Sequence, residues 1–144
     1  MNGREIVHKL SQYPATRGLF KGVFSSDLLP RSKKTPFCFI ANTEPHDDPG
    51  EHWVAFFVFA THIEFFDSYG RAPNNPMFPK SFSRYVANKN CVYNARLLEG
   101  FFSKTCGQFC IFYICMRSSG ISYKKVINSL SVNCHINDYI VRKL

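Results

Sequence analysis

The 144-residue sequence holds one tryptophan, only 10 acidic residues against 18 basic ones, and no apolar run near the roughly 18 to 20 residues that span a bilayer. A membrane-crossing helix is therefore not expected. Residues 1–13 lack an apolar stretch followed by a small-residue cleavage site, so a secretory leader is not expected either, and synthesis in the cytosol is. The six cysteines (Cys38, Cys91, Cys106, Cys110, Cys115 and Cys134) contain no Cys-x-x-Cys pair and have no histidine at finger-like spacing. Tetrahedral zinc needs four convergent ligands, so no metal is expected. Without a sign of secretion, free thiols are expected in place of three disulfides. There is no internal repeat, linker or low-complexity segment, and the chain is expected to form one domain over 1–144.

What is abundant is aromatic and basic. Fifteen phenylalanines and seven tyrosines, within 45% hydrophobic residues, suit a core of aromatic-rich strands. The net charge of +8 comes from basic side chains spread along the chain, among them Arg31, Lys33, Lys34, Lys80, Arg84, Lys89, Lys124, Lys125, Arg142 and Lys143. Such a surface attracts polyanions. No recognition motif accompanies it, so any DNA binding is expected to be sequence-independent and salt-sensitive.

Ile6, Val7 and Leu10 share one face of a short amphipathic helix over 4–12. Residues 36–42 read as a buried strand, and 43–50 as a turn-rich loop with Pro45, Asp47, Asp48, Pro49 and Gly50. The strongest strand is 52–59, followed across Ala60-Thr61-His62 by a second at 63–67, which predicts a hairpin. A proline-rich loop (70–79), a helix (80–87), a strand (92–97), a helix from Thr105 to about Ser118, and helices over 122–130 and 135–141 complete the order. The fold class is α+β, with a central, mostly antiparallel sheet flanked by helices.

One constellation carries chemistry. Thiol hydrolases need a nucleophilic sulfur, an imidazole to activate it and an acceptor to orient the ring. Cys106 opens an apolar helix, whose N-terminus carries partial positive charge and unpaired N–H groups suited to an anion. Gly107 leaves room for a substrate backbone. His52 opens the first hairpin strand and Asp67 closes the second, so the two can share one rim.

Three segments carry a family resemblance: Gly50-Glu51-His52-Trp53-Val54-Ala55-Phe56, Phe66-Asp67-Ser68-Tyr69-Gly70 and Thr105-Cys106-Gly107-Gln108-Phe109-Cys110. In order and spacing they resemble the adenovirus-type (adenain-like) cysteine endopeptidases, nearest to those of Maverick/Polinton elements and adintoviruses. The stretches 22–30 and 40–43 fit as well, so the resemblance runs over about 18–114. More distantly the same order is similar to SUMO proteases.

The resemblance implies a papain-like site with Cys106, His52 and Asp67 catalytic, and an oxyanion hole formed by Cys106 and Gly107. It implies cleavage of capsid and core precursor polypeptides at small, glycine-containing sites during particle maturation, with no cofactor required for the chemistry. DNA and a short activating peptide are implied as stimulators, with Cys91 the candidate cysteine for bonding the peptide. A monomer acting in the virion and the host nucleus or cytoplasm is implied, with no membrane partner. The family's oxyanion glutamine is replaced by Glu99. An ionised carboxylate cannot donate a hydrogen bond, so three explanations stay open: a Glu99 protonated by burial, displacement by another donor, or an impaired site. Two alternatives stay open: a protease of ubiquitin-like proteins, and a catalytically decayed, basic DNA-associated particle protein.

Overall fold

The computed structural model describes residues 1–47 and 52–144. Five strands form one sheet in sequence order: β1 (Phe20–Phe24), β2 (Phe37–Asn42), β3 (Trp53–Val58), β4 (His62–Phe66) and β5 (Asn90–Tyr93). The two central pairs, β2–β3 and β3–β4, are antiparallel, while β1–β2 and β4–β5 at the edges are parallel. The sheet is thus evenly mixed, where a mostly antiparallel one is expected. The physical reason is the connections at both edges, which return the chain to the same end of the sheet before the next strand begins.

Strands β2 and β3 are nearly continuous apolar runs because both faces of the sheet are covered. Side chains alternate between the faces. On one, Cys38, Ile40, Ala55, Phe57 and Phe66 pack against α1 (Gly3–Ser11) and α3 (Cys106–Ser118). On the other, Phe37, Phe39, Phe56 and Phe65 meet Phe82 and Tyr85 of α2 (Lys80–Val86). Phe39 and Phe56 stack with centroids 4.8 Å apart, and Phe56 meets Phe65, Phe82 and Tyr85 edge-on. Truncating such a ring to alanine typically costs about 3–5 kcal/mol.

The hairpin falls where it is expected, with Ala55 paired to Phe66 and Val58 to Ile63. β1 is a strand that the sequence pattern does not reveal. Gly22 sits in its middle at φ +127°, and the register slips between Phe20 and Val23. The strand expected over 92–97 instead occupies 90–93, because Ala95 turns the chain into the left-handed region (φ 48°). α4 (Tyr123–Asn128) and α5 (Cys134–Val141) close the chain, capped by Ser122 and Asn133. Part of the turn-rich loop before β3, residues 48–51, lies outside the described residues.

α3 positions the chemistry. Eight of its first nine residues, Cys106 through Ile114, are buried, Gln108 being the exception. A helix this apolar all round has to lie inside the molecule. It packs on β3, so its N-terminus comes to the rim where the β3–β4 hairpin begins and ends.

Candidate active site

His52 precedes β3 and Asp67 follows β4, and the antiparallel register sets them side by side. His52 Nε2 lies 2.6 Å from Asp67 Oδ1. That bond leaves Nδ1 as the ring's free nitrogen. A ring nitrogen of His52, the Cys106 Sγ and a carboxylate oxygen of Glu99 all fall within 4.8 Å of one another. The three residues come from 52, 99 and 106 in sequence, and the fold gathers them at one point.

Asp67 is fully buried and held on every side. Its Oδ2 accepts from the Arg71 backbone N–H (3.0 Å) and Nε (2.8 Å), and Arg71 Nη2 lies 3.4 Å from Oδ1. Its backbone is fixed by Asn94, whose side-chain oxygen accepts from the Asp67 N–H and whose amide donates to the Asp67 carbonyl. Burial would raise the Asp67 carboxyl, but the hydrogen bonds and charges of His52 and Arg71 outweigh it and hold the pKa below the ordinary range. For His52 burial works against the charged ring. The hydrogen bonds and charges of Asp67 and Cys106 overcome it, and the imidazole is pushed up to about 9.

The ring is also gripped by its face. Tyr69 stacks on His52 with centroids 5.3 Å apart, and Phe101 stacks in turn on Tyr69 at 6.4 Å. Arg71 lies over both Tyr69 (5.2 Å) and Phe78 (4.5 Å). Arg71, Tyr69 and Asn94 are positioning residues that the sequence reading misses. A faint signal existed for one of them: Arg71 stands four residues after Asp67 across a Ser-Tyr-Gly turn, a spacing that allows an ion pair.

Cys106 is 9% exposed and begins α3, so the amides of Cys106 and Gly107 have no intrahelical acceptor. At Gly107 the missing side chain serves packing of the helix start. A Cβ there would lie 3.3 Å from both Met1 Sδ and Trp53 Cδ1, so the missing side chain lets those two groups pack on the helix start. Trp53 Nε1 donates to the Met1 carbonyl at 3.1 Å, which fixes that packing.

Glu99 is fully buried, and both of its oxygens act as acceptors. Oε2 accepts from Ser68 Oγ (2.5 Å), and Oε1 from the Thr105 amide (2.6 Å), with Thr105 Oγ1 and Ser103 Oγ at 3.1 and 3.2 Å. It is placed at the sulfur, as its sequence position implies, but as an acceptor. The chain reaches Thr105 through Lys104, a non-glycine residue in the left-handed region (φ 53°). Cys91 lies elsewhere, on the edge strand β5 opposite Ile63, at the far end of β4 from Asp67. Its thiol is pushed up to about 11 by burial.

No protein-family model matches the sequence, and no curated protein sequence does. Among solved structures the chain is similar to the ASFV pS273R protease. A selenomethionine crystal form of that protein superposes with TM-score 0.51 and 22% identity, over 72% of this chain and 43% of that one. A second crystal structure of it gives TM-score 0.49 and 24% identity, over 74% and 41%. This chain thus spans less than half the length of that protease. The likeness shows a shared architecture: an α+β fold with a five-stranded central sheet flanked by helices.

Proposed function

We propose that this chain is a cysteine endopeptidase in which Cys106 is the nucleophile, His52 the proton carrier and Asp67 its orienter. The observation that carries this is the row Asp67–His52–Cys106, with Asp67 on one ring nitrogen, the sulfur beside the ring, and the sulfur at a buried helix N-terminus. The shared fold with a viral protease agrees with it.

In this reading His52 takes the Cys106 proton as the sulfur attacks the carbonyl carbon of the scissile peptide. The oxyanion that forms is stabilised by the unpaired amides of Cys106 and Gly107. His52 then gives its proton to the leaving nitrogen as the C–N bond breaks, which leaves a thioester on Cys106. Water attacks the thioester and loses a proton to His52, and the acid product departs. Asp67 keeps the ring's far nitrogen fixed throughout.

The substrate class follows from the motif resemblance to adenain-like and Maverick-type enzymes: precursor polypeptides of a particle, cut at small glycine-containing sites. The same resemblance and the +8 charge support stimulation by DNA. Glu99 favours a weakened site, since an acceptor stands where such enzymes place a donor. The test is labelling by an active-site-directed electrophile at neutral pH, mapped by mass spectrometry, beside Cys106→Ala and His52→Ala. Rapid labelling confined to Cys106 and slowed without His52 is expected. Slow labelling spread over all six cysteines would sink the proposal and favour the decayed, DNA-associated protein.

A further inference from the structure

The three groups at the centre of the site are an imidazole, a carboxylate and a thiol, each a zinc ligand type, with donor atoms within 4.8 Å of one another. We propose that they form a binding site for a divalent, zinc-class cation that occupies the resting site and shuts it. His52 Nδ1, Cys106 Sγ and one Glu99 oxygen are the ligands, and water or an incoming group takes the fourth position.

Sequence spacing argues against zinc because no two of these residues form a short ligand pair, but folding removes that objection. Glu99 is what makes the set. A glutamine amide at the same place is a poor ligand, and two donors alone hold zinc weakly.

The surroundings are built as the second shell of a metal site is built. His52 presents its free nitrogen to the site while Asp67 holds the other, the carboxylate–histidine arrangement that orients a metal-binding imidazole. Asp67 is itself locked by Arg71. Glu99 Oε1 is taken up by the Thr105 amide and the Thr105 and Ser103 hydroxyls, whereas Oε2 accepts from Ser68 Oγ alone and keeps a lone pair for a cation. Among the described residues no lysine or arginine forms an ion pair with Glu99, so no resident cation competes for it. Tetrahedral zinc with bonds of about 2.0–2.3 Å draws its ligands closer than 4.8 Å, so contraction by roughly 1 Å completes the site. The contraction falls to the Cys106 side chain, since Glu99 and His52 are held by their hydrogen bonds.

The consequence is regulatory. A cation bound to the sulfur and to Nδ1 occupies both groups that the proposed hydrolysis needs, and protects the sulfur from oxidation until a chelator or a competing ligand removes it. This consequence rests on the protease reading, whereas the metal site does not.

The experiment is titration of the metal-stripped, full 144-residue chain with Zn²⁺ against a chromophoric chelator, and with Co²⁺ read by absorption. Binding of one equivalent is expected, with a sulfur-to-cobalt charge-transfer band and the visible bands of a tetrahedral ion. Cys106→Ser should abolish the charge-transfer band. Glu99→Gln should weaken affinity by at least the roughly 10–100-fold that loss of a second-shell partner costs. Cys91→Ser and Cys134→Ser should change neither. Retention of the band in Cys106→Ser, or unchanged affinity in a Glu99→Gln chain with wild-type circular dichroism, would overturn the proposal. Should Glu99→Gln fail to fold, His52→Ala takes its place with the same expected loss. Electrophile labelling of the metal-free chain separates the two ideas. A reactive Cys106 that Zn²⁺ does not protect would sink the metal site alone. A one-equivalent, Glu99-dependent site on an unreactive Cys106 would support the metal site and sink the protease.

Discussion

Arg71 clamps Asp67 with two hydrogen bonds to Oδ2, from its backbone at 3.0 Å and its guanidinium at 2.8 Å, and with a longer one of 3.4 Å to Oδ1, the oxygen that His52 holds at 2.6 Å. Asp67 is fully buried, and a buried carboxylate with one partner removed is an uncompensated charge. Arg71→Ala is expected to cost about 2–3 kcal/mol, less than the 3–5 of a fully buried pair because the guanidinium is partly exposed. Labelling of Cys106 should also slow, by about tenfold or more, as the ring loses its fixed acceptor. Arg71→Lys should recover only part of either effect, since an ammonium cannot repeat the planar contact. Urea unfolding beside labelling rates checks both. An Arg71→Ala protein with parental stability would show that the clamp is incidental.

Gly70, one residue before that arginine, is required by two independent constraints. Its φ is +76°, and a Cβ there would lie 2.5 Å from the backbone of Arg96. Arg96 in turn donates to the carbonyls of Ile127 and Leu130, which ties the Asp67 turn to α4. Gly70→Ala must therefore either displace the 94–98 segment or deform the Asp67–Arg71 turn. A loss of more than about 3 kcal/mol is expected, from left-handed strain together with the clash. Thermal unfolding of the variant is the check, and a melting point within a few degrees of the parent would contradict the packing described.

Much of this site was legible in the sequence because its three central residues sit at element boundaries that pattern alone locates. His52 opens the longest apolar run, Asp67 ends its hairpin partner, and Cys106 opens the apolar helix. What was not legible depends on contacts between segments far apart in the chain. Tyr69 stacks on His52 and Asn94 braces Asp67 from just beyond β5, and neither carries a periodic or spacing signal. The packing at Gly107 was hidden for the same reason: only folding brings Met1 and Trp53 against it. β1 escaped because a glycine interrupts its alternation, and the mixed sheet because strand direction is set by connections that a residue pattern does not encode.

His52 sets the alkaline limit of the proposed reaction. Its pKa is pushed up to about 9, burial being outweighed by Asp67 and Cys106. The group is raised relative to an unfolded histidine near 6.5, so the stability it contributes is full below about pH 6.5 and is lost as pH rises through about 9. Peptide hydrolysis needs the proton for the leaving nitrogen, and kcat/KM should fall above pH 9. Alkylation of the sulfur needs no such proton and should not fall there. Asp67→Asn should bring the alkaline limb of hydrolysis downward. Coincident alkaline limbs for hydrolysis and alkylation would refute the assignment of His52 as proton donor.

Glu99 offers the sharpest change in the opposite direction. Its oxygens accept from Ser68 Oγ and the Thr105 amide, and one of them lies within 4.8 Å of the Cys106 sulfur, where a second donor to the oxyanion would help. Glu99→Gln keeps the side chain's shape. Its oxygen can retain the Thr105 amide, while its NH₂ must turn the Ser68 hydroxyl from donor to acceptor, a rearrangement expected to cost about 1 kcal/mol. In return the site gains a donor and loses a negative charge near the developing oxyanion. One oxyanion donor is typically worth 10²–10³ in kcat, so a rise of at least about tenfold is expected after part of that gain goes to imperfect geometry. The rates should be compared in the presence of a chelator, so that lost metal inhibition is not mistaken for improved chemistry. A variant no faster than its parent under those conditions, with Cys106 labelling unchanged, would mean that the helix amides alone hold the oxyanion and that Glu99 does not limit the reaction.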